Sequence, residues 1–147
     1  MKPLNEIVLT MPSRSSNESF ARAAVASFFT QLDPTVEELC DIRTAVSEAV
    51  TNAIVHGYRD TVGNIRITAR IYPDRRVTIA VRDQGCGIPD ISQAMEPLFT
   101  TSPDGERSGL GFSVMQSFMD KVKVRSAPQK GTTVTMERRL SEKDLHD

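Results

Sequence analysis

Ser47-Glu-Ala-Val-Thr-Asn-Ala-Ile-Val-His-Gly57 organises this chain, and its pattern is typical of the C-terminal half of a long helix. Glu48 and Asn52 are four residues apart, so both side chains project from one helical face. A carboxamide oxygen suits a hard cation such as Mg²⁺, which keeps most of its waters. A neighbouring carboxylate can accept a proton from a hydroxyl. The alternative is that Glu48 is a solvated helix charge and Asn52 a tolerated weak helix former.

The segment before this stretch predicts one strand and two helices. An alternating strand at residues 7–11 ends at Pro12, and Ser15-Ser-Asn-Glu18 has the spacing of a capping box. The first helix should place Glu18 and Arg22 outward. Its other face, at helical period, carries Phe20, Ala24, Phe28 and Leu32.

Asp33 and Pro34 predict the start of the second helix, as N-cap and first-turn residue. This helix can extend to about His56, with Gly57 as its stop. Glu48 and Asn52 border its apolar stripe, so they can line a cleft beside the core. The stripe consists of Leu39, Ile42, Val46, Ala49, Val50 and Ala53.

The second half of the chain predicts two hairpins with a loop and a helix between them. Strands at 64–72 and 77–81 form the first hairpin, and strands near 122–124 and 133–139 form the second. Residues 96–110 form a long loop before an amphipathic helix at 111–119. The layout favours an α+β two-layer sandwich, with a mixed, mostly antiparallel sheet covered on one face by helices. We expect a single domain over residues 1–147, with a frayed tail at 141–147.

Length and composition exclude several classes of protein. The chain has 147 residues, 39% hydrophobic and 25% charged, which suits an ordered globular domain. Its net charge of −1 gives no basic field for nucleic acid, and no apolar run could span a membrane. The first residues have no apolar segment behind Lys2, so we expect no secretory signal. Cys40 and Cys86 form no metal-ligand spacing with the two histidines, so we expect free thiols in a cytoplasmic protein.

Asp83-Gln-Gly-Cys-Gly-Ile88 follows directly on the second strand of the first hairpin. A carboxylate at a strand end can accept a hydrogen bond from the N6 amine of adenine, whereas guanine presents a carbonyl there. Leaving the buried partner unmatched costs about 1–3 kcal/mol, which is enough to select adenine. Gly85 and Gly87 would let the backbone approach the base without a Cβ. The alternative is a tight turn in which Asp83 forms an Asx-turn.

Arg107-Ser-Gly-Leu-Gly111 lies at the end of the long loop, just before a helix. Gly109 and Gly111 permit a backbone cradle for phosphates at the helix N-terminus. Arg107 can add a charge-assisted contact to a terminal phosphate. Downstream, Thr132 offers a hydroxyl that can reach the base. The alternative is an ordinary surface loop.

These four motifs together resemble the GHKL ATPase/kinase superfamily, which includes gyrase, heat-shock chaperones and histidine kinases. The motifs are Glu48-x-x-x-Asn52, Asp83-x-Gly85-x-Gly87, Gly109-x-Gly111 and Gly131-Thr132. Within the superfamily the chain resembles the bacterial anti-sigma serine kinases, above all the sporulation anti-sigma-F group. That likeness covers nearly the whole chain and is carried also by residues 17–22, 47–53, 97–101 and 106–109. Gln84 and Leu110 depart from the family pattern, but both lie between motif residues.

The resemblance implies a Bergerat-type ATP-binding fold and a role for each matching residue. Asn52 would hold Mg²⁺ between the phosphates, and Glu48 would be the general base on an attacking hydroxyl. Asp83 would recognise adenine with help from Thr132, and Arg107 would contact the γ-phosphate. His56 either faces the phosphates or belongs only to the capping turn at Gly57 that ends the helix. The remaining nucleotide-site residues are Gly85, Gly87, Ile88, Gly109 and Gly111.

Three functional hypotheses follow from the resemblance. The first is a homodimeric kinase that inhibits a sigma factor of the sigma F type and uses ATP to phosphorylate an anti-anti-sigma antagonist protein on serine. In that case Arg22 lies on a partner-facing patch, unless it is an ordinary solvated charge. The second is a sigma-binding module that uses ATP without catalysis, although the presence of Glu48 favours catalysis. The third is the ATP domain of a histidine kinase, but neither His56 nor His146 occupies the upstream position of a phosphoacceptor.

Overall fold

The computed structural model describes residues 1–88, 91, 95 and 111–142. Five strands form one sheet in the order β1-β2-β3-β5-β4, and every described pair is antiparallel. The predicted α+β class is confirmed, and the described sheet is antiparallel throughout rather than mixed. The strands are β1 (Asn5–Pro12), β2 (Asn64–Ile71), β3 (Arg76–Asp83), β4 (Lys121–Ala127) and β5 (Gly131–Arg139).

In the part of the chain that the structure describes, three complete α-helices accompany the sheet. They are α1 (Asn17–Phe29), α2 (Val36–Asn52) and α3 (Phe112–Phe118), and a π-helical turn at Ala53–Gly57 continues α2. Helix α2 contacts both α1 and α3, and buried helix residues join alternate strand residues in one hydrophobic core. No helix in the described part of the chain is long and apolar enough to cross a membrane.

The start of α2 differs from the prediction. Thr35 is the N-cap, and it forms a capping box with Glu38: Thr35 Oγ1 accepts from the Glu38 N–H at 3.1 Å, and Glu38 Oε1 accepts from the Thr35 N–H at 2.9 Å. Asp33, the predicted N-cap, instead ends a preceding 3-10 turn in the left-handed region, with φ of 50°. The predicted capping box at residues 15–18 was wrong as well, because the N-cap Ser16 makes no side-chain hydrogen bond.

The buried face of α1 is offset by one residue from the predicted face. Phe20 is 59% exposed, whereas Ala21, Val25 and Phe29 are fully buried. Small side chains at 21 and 25 allow α1 to approach α2 closely, so this stripe is preferred over the bulkier one. The α2 stripe was predicted correctly, except that Leu39 is only half-buried and the capping Glu38 is buried in its place.

Candidate active site

The end of α2 and the loop after β3 come into direct contact. The Gly57 carbonyl accepts a hydrogen bond from the Cys86 N–H at 2.9 Å, and the His56 carbonyl accepts from Cys86 Sγ at 3.1 Å. A Cβ at Gly57 would lie 2.9 Å from Cγ of Asp83, and one at Gly85 would collide with the Gly57 carbonyl. Glycines at 57 and 85 therefore allow these two elements to meet, and the helix end lies against the Asp83 carboxylate.

Asn52 is the last residue of α2 and is 5% exposed. Its Oδ1 atom has no hydrogen-bond partner among the residues that the structure describes. A buried polar atom normally has a partner, because leaving it unpaired costs about 1–3 kcal/mol. The neutral, unsatisfied oxygen is the type of ligand that Mg²⁺ accepts, so the residue fits the predicted metal role.

Glu48 lies one turn before Asn52 and faces the start of α3. A Cβ at Gly111 would collide with the Glu48 carboxylate, and Gly111 also has φ of +75°, which favours glycine. On its other side, Glu48 borders a cavity of about 420 Å³ between α1 and α2. Arg22 lines the same cavity, so the predicted partner residue and the predicted base share one cleft.

Glu18 connects the two helices beside this cleft. It accepts a hydrogen bond from Ser47 Oγ and lies 3.6 Å from the Arg22 guanidinium. Its side chain is only 18% exposed, so the expectation that Glu18 points freely into solvent was wrong. The packing of α1 on α2 explains the difference, and Glu18 positions Arg22 at the cavity.

Asp83 ends β3 and is 4% exposed. Burial raises the pKa of its carboxyl group above the ordinary value, although hydrogen bonds from the backbone of Gly85 and Thr132 oppose that rise. The Gly85 N–H lies 2.9 Å from Oδ1, in the Asx-turn geometry that was the alternative interpretation. The turn and the recognition role are compatible, because hydrogen bonds from two backbone N–H groups leave other lone pairs of the carboxylate available.

Thr132 lies opposite Asp83 on β5 and is 5% exposed. Its hydroxyl is 2.8 Å from Ser126 Oγ, which also lies 2.9 Å from the Gly131 carbonyl and accepts from the Ile88 N–H at 2.7 Å. If Ser126 donates its one proton to Gly131, Thr132 must donate to Ser126, and its lone pairs stay available for a base or a water. Sequence reasoning missed Ser126, although the hairpin register places it opposite Thr132.

The glycine-rich loop is held by the second hairpin and by one tyrosine. Gly87 has φ of +77°, and a Cβ there would collide with the Ala127 carbonyl. Tyr58, another residue that the sequence did not single out, accepts from the Gln84 N–H at 2.7 Å and donates to the Asn64 carbonyl at 2.8 Å. These contacts fix the loop beside Asp83, and Ile88 is buried at its end.

The structure thus brings the turn that follows Asn52 against Asp83 and the glycines of the β3 loop, with Thr132 opposite Asp83. Arg107 and Gly109 lie outside the described residues, as do residues 97–101 and the tail from 143 onward. His56 lies in the π-helical turn, so its position is not that of an α-helical residue one turn after Asn52. The assignment of His56 to the phosphates stays a prediction.

Comparison with known proteins identifies the family to which the chain is similar. Residues 11–138 match the histidine kinase-like ATPase domain family. The chain is 54% identical to the anti-sigma F factor of Geobacillus stearothermophilus over 95% of each chain. It is 56% identical to the anti-sigma F factor of Thermoanaerobacter sp. (strain X514), over 92% of this chain and 94% of that one.

A solved structure gives the same fold. The RsbU and RsbW domains of a Mycobacterium tuberculosis protein align with a TM-score of 0.71 at 22% identity, over 96% of this chain and 34% of that one. This likeness shows the fold, and the two relatives of more than 50% identity show the group. The chain therefore belongs to the histidine kinase-like ATPase domain family and, within it, to the anti-sigma F factors.

Proposed function

We propose that this protein binds ATP with Mg²⁺, inhibits a sigma factor of the sigma F type, and phosphorylates an antagonist protein on serine. The observation that carries the proposal is the convergence of the α2 end on β3, with a buried amide oxygen at Asn52 and a buried carboxylate at Asp83. One group suits a phosphate-bound cation, and the other suits the adenine amine.

Each described site residue has a separate task in this proposal. The Asp83 carboxylate accepts from the adenine N6 amine, and Thr132 contributes a lone pair beside it. Asn52 Oδ1 would hold Mg²⁺, and the bound cation would neutralise charge on the phosphates. Within the described residues no group of three His, Cys, Asp or Glu side chains could hold a metal ion. Arg107 supplies a positive charge to the γ-phosphate.

Glu48 accepts the proton of the attacking serine hydroxyl. The hydroxyl oxygen forms a bond to the γ-phosphorus, the bond from that phosphorus to the β–γ bridging oxygen breaks, and ADP leaves. The cavity of about 420 Å³ that Glu48 shares with Arg22 gives a substrate loop access to this carboxylate. The base contributes about 10²- to 10⁴-fold, and positioning and charge neutralisation contribute the rest.

The proposal extends to partners and location. The two relatives are named for a sigma factor, which supports a sigma factor of that type as the partner here. Arg22, held by Glu18 at the rim of the cleft, is the residue that we propose contacts protein partners. We also propose a homodimer that acts in the cytoplasm, with ATP and ADP favouring different partners through their different contacts.

A non-catalytic, ATP-gated sigma-binding module is the alternative, and Glu48→Gln separates the two. The purified full chain is incubated with radiolabelled Mg-ATP and an anti-anti-sigma antagonist protein, and phosphoserine is measured in a single turnover. We expect transfer to fall by about 10²- to 10⁴-fold, with nucleotide affinity unchanged. The exposed Glu37 of α2, which does not line this cavity, provides the matched control Glu37→Gln.

Equal transfer by wild type and the Glu48→Gln variant, with both binding nucleotide, would remove Glu48 from the mechanism. No transfer by wild type under any nucleotide condition would favour the non-catalytic module. Phosphate recovered on histidine instead of serine would favour a histidine kinase ATP domain.

A further inference from the structure

Three arginines lie in one row across the open face of the sheet. Arg66 and Arg82 are register partners between β2 and β3, and Arg82 and Arg125 are each register partners of Thr133 on β5. All three arginines are exposed. Neighbouring strands are about 4.8 Å apart, so the row from β2 to β4 is about 14 Å long. We call Arg66, Arg82 and Arg125 the arginine row.

The arginine row differs from Arg70 and Arg76, two other arginines on the same face, because each of those two has a carboxylate partner. Arg70 lies 2.6 Å from Glu6, and Arg76 lies 3.0 Å from Glu137. Among residues 1–88, 91, 95 and 111–142, no carboxylate lies within ion-pair distance of any guanidinium group in the row. Arg66 and Arg82 lie directly opposite each other, and like charges in that position destabilise a sheet, so this pair costs stability unless an anion covers it.

Two clefts flank Arg82 and extend the positive surface. One is about 320 Å³ and the other about 220 Å³. Asp83 borders the larger cleft, but its side chain is buried towards the opposite face of the sheet, as strand alternation requires. The other lining side chains include Arg125, Lys130 and Thr133 in the larger cleft and Thr10, Arg66 and Gln84 in the smaller one.

We propose that the arginine row is a docking surface for an extended acidic segment of a partner protein. Carboxylates at alternate positions of an extended segment are about 6.8 Å apart, so three of them span about 13.6 Å, which matches the end-to-end length of the row. The threonine and glutamine side chains of the clefts can bind the backbone of such a segment.

Single-stranded nucleic acid fits this surface less well. Neither cleft is lined by an aromatic side chain on which a base could stack, and the chain has a net charge of −1. The arginine row also faces away from the Asp83 carboxylate, so the inference does not depend on the proposed nucleotide site.

The test uses a fluorescein-labelled peptide of alternating threonine and glutamate with three glutamates, and its glutamine counterpart. Anisotropy is measured with the full chain and with the triple variant Arg66→Gln, Arg82→Gln and Arg125→Gln. We expect the acidic peptide to bind wild type at least about tenfold more tightly than it binds the triple variant, and the binding to weaken as salt rises. The glutamine peptide should not bind either protein.

A matched control removes three exposed cations elsewhere, with Lys2→Gln, Arg59→Gln and Lys121→Gln. This variant should retain peptide affinity. An equal loss of peptide affinity in both triple variants would show a general charge effect and overturn the proposal. Failure of the acidic peptide to bind wild type would also overturn it. A ten-residue oligothymidylate is measured as well. If wild type binds it more tightly than the acidic peptide, and the triple variant of the arginine row (the row variant) loses that binding, the ligand of the row is nucleic acid and not an acidic segment.

Folding of the row variant is checked by thermal unfolding and by binding of a fluorescent ATP analogue. We expect its Tm to be no lower than that of wild type, because opposed positive charges are removed. Nucleotide affinity should be unchanged. A clear fall in Tm would show that the arginine row serves the fold and would overturn the docking role.

Discussion

Replacing Asp83 by asparagine separates the requirements of the fold from those of nucleotide recognition. The carboxylate is 4% exposed, and burial raises its pKa, so the folded protein bears a cost for keeping it charged at neutral pH. Asparagine retains one side-chain oxygen for the Gly85 N–H, which lies 2.9 Å from Oδ1 of Asp83, and removal of the buried charge offsets a weakened hydrogen bond from the Thr132 backbone. We therefore expect Asp83→Asn to be folded, with a free energy of unfolding at pH 7 equal to or above that of wild type.

The pH dependence of this difference has a definite sign. A carboxyl group whose pKa is higher in the folded than in the unfolded protein binds more protons when folded. Wild type therefore loses stability as pH rises from the unfolded pKa of Asp83 through its raised folded pKa. The stability advantage of Asp83→Asn should be largest above that interval and shrink as pH falls through it. Urea unfolding at a series of pH values measures this difference.

The same Asp83→Asn substitution should weaken nucleotide binding, although it does not lower the stability of the fold. Hydrogen bonds to a charged group contribute about 1.5–3 kcal/mol, which corresponds to roughly 10- to 150-fold in affinity. Asp83→Asn should lose that factor for ATP, and discrimination against GTP should narrow. Anisotropy of labelled ATP with unlabelled competitors gives both quantities. A variant that folds and still binds ATP with wild-type affinity and selectivity would refute the assignment of Asp83 to the base.

Three further substitutions address the metal ligand, the cap of α2 and the second hairpin. Asn52→Ala should lower the affinity for ATP in the presence of Mg²⁺ but not in EDTA, and its free energy of unfolding in urea should change little. If the variant does not fold, Asn52 has a structural role instead. Glu38→Gln should lower stability at pH 7 by about 1–2 kcal/mol. Burial alone would raise the pKa of Glu38, but hydrogen bonds from the backbone and hydroxyl groups of Thr35 and Ser141 outweigh burial and lower it. The loss should therefore be complete above the unfolded pKa and vanish as pH falls through the folded pKa, while the exposed control Glu37→Gln should show neither effect. Ser126→Ala should cost about 1–3 kcal/mol in urea unfolding and weaken ATP binding, because its hydroxyl lies within hydrogen-bond distance of three groups. The exposed Ser117→Ala should do neither.

Periodicity predicted most of the fold, because alternation and helical spacing report directly on burial. It did not fix the face of α1, since stripes beginning at Phe20 and at Ala21 both have helical spacing. The start of α2 was misplaced for a related reason. Asp33 and Thr35 are both good N-caps, and only the three-residue spacing from Thr35 to Glu38 distinguishes them.

The sequence predicted those residues of the candidate site that belong to a local motif at the end of a strand or helix. Asn52 and Asp83 are such residues, and the structure brings their elements together. Ser126 and Tyr58 were missed because their roles come from contacts between distant segments. The arginine row is a similar case: its members lie on three strands and become neighbours only through the register of the whole sheet.

The π-helical turn explains how the two halves of the candidate site come together. The Tyr58 N–H donates to the Ala53 carbonyl at 3.1 Å, five residues back, so the backbone after Asn52 leaves the α-helical path. Gly57 consequently lies against the Asp83 carboxylate, with no room for a side chain. Because the Gly57 carbonyl also accepts from the Cys86 N–H, one short segment sets the separation between the amide oxygen of Asn52 and the buried carboxylate. A regular α-turn ending in a larger residue would separate these two groups, so the wider turn and its glycine belong to the site as much as the polar side chains do.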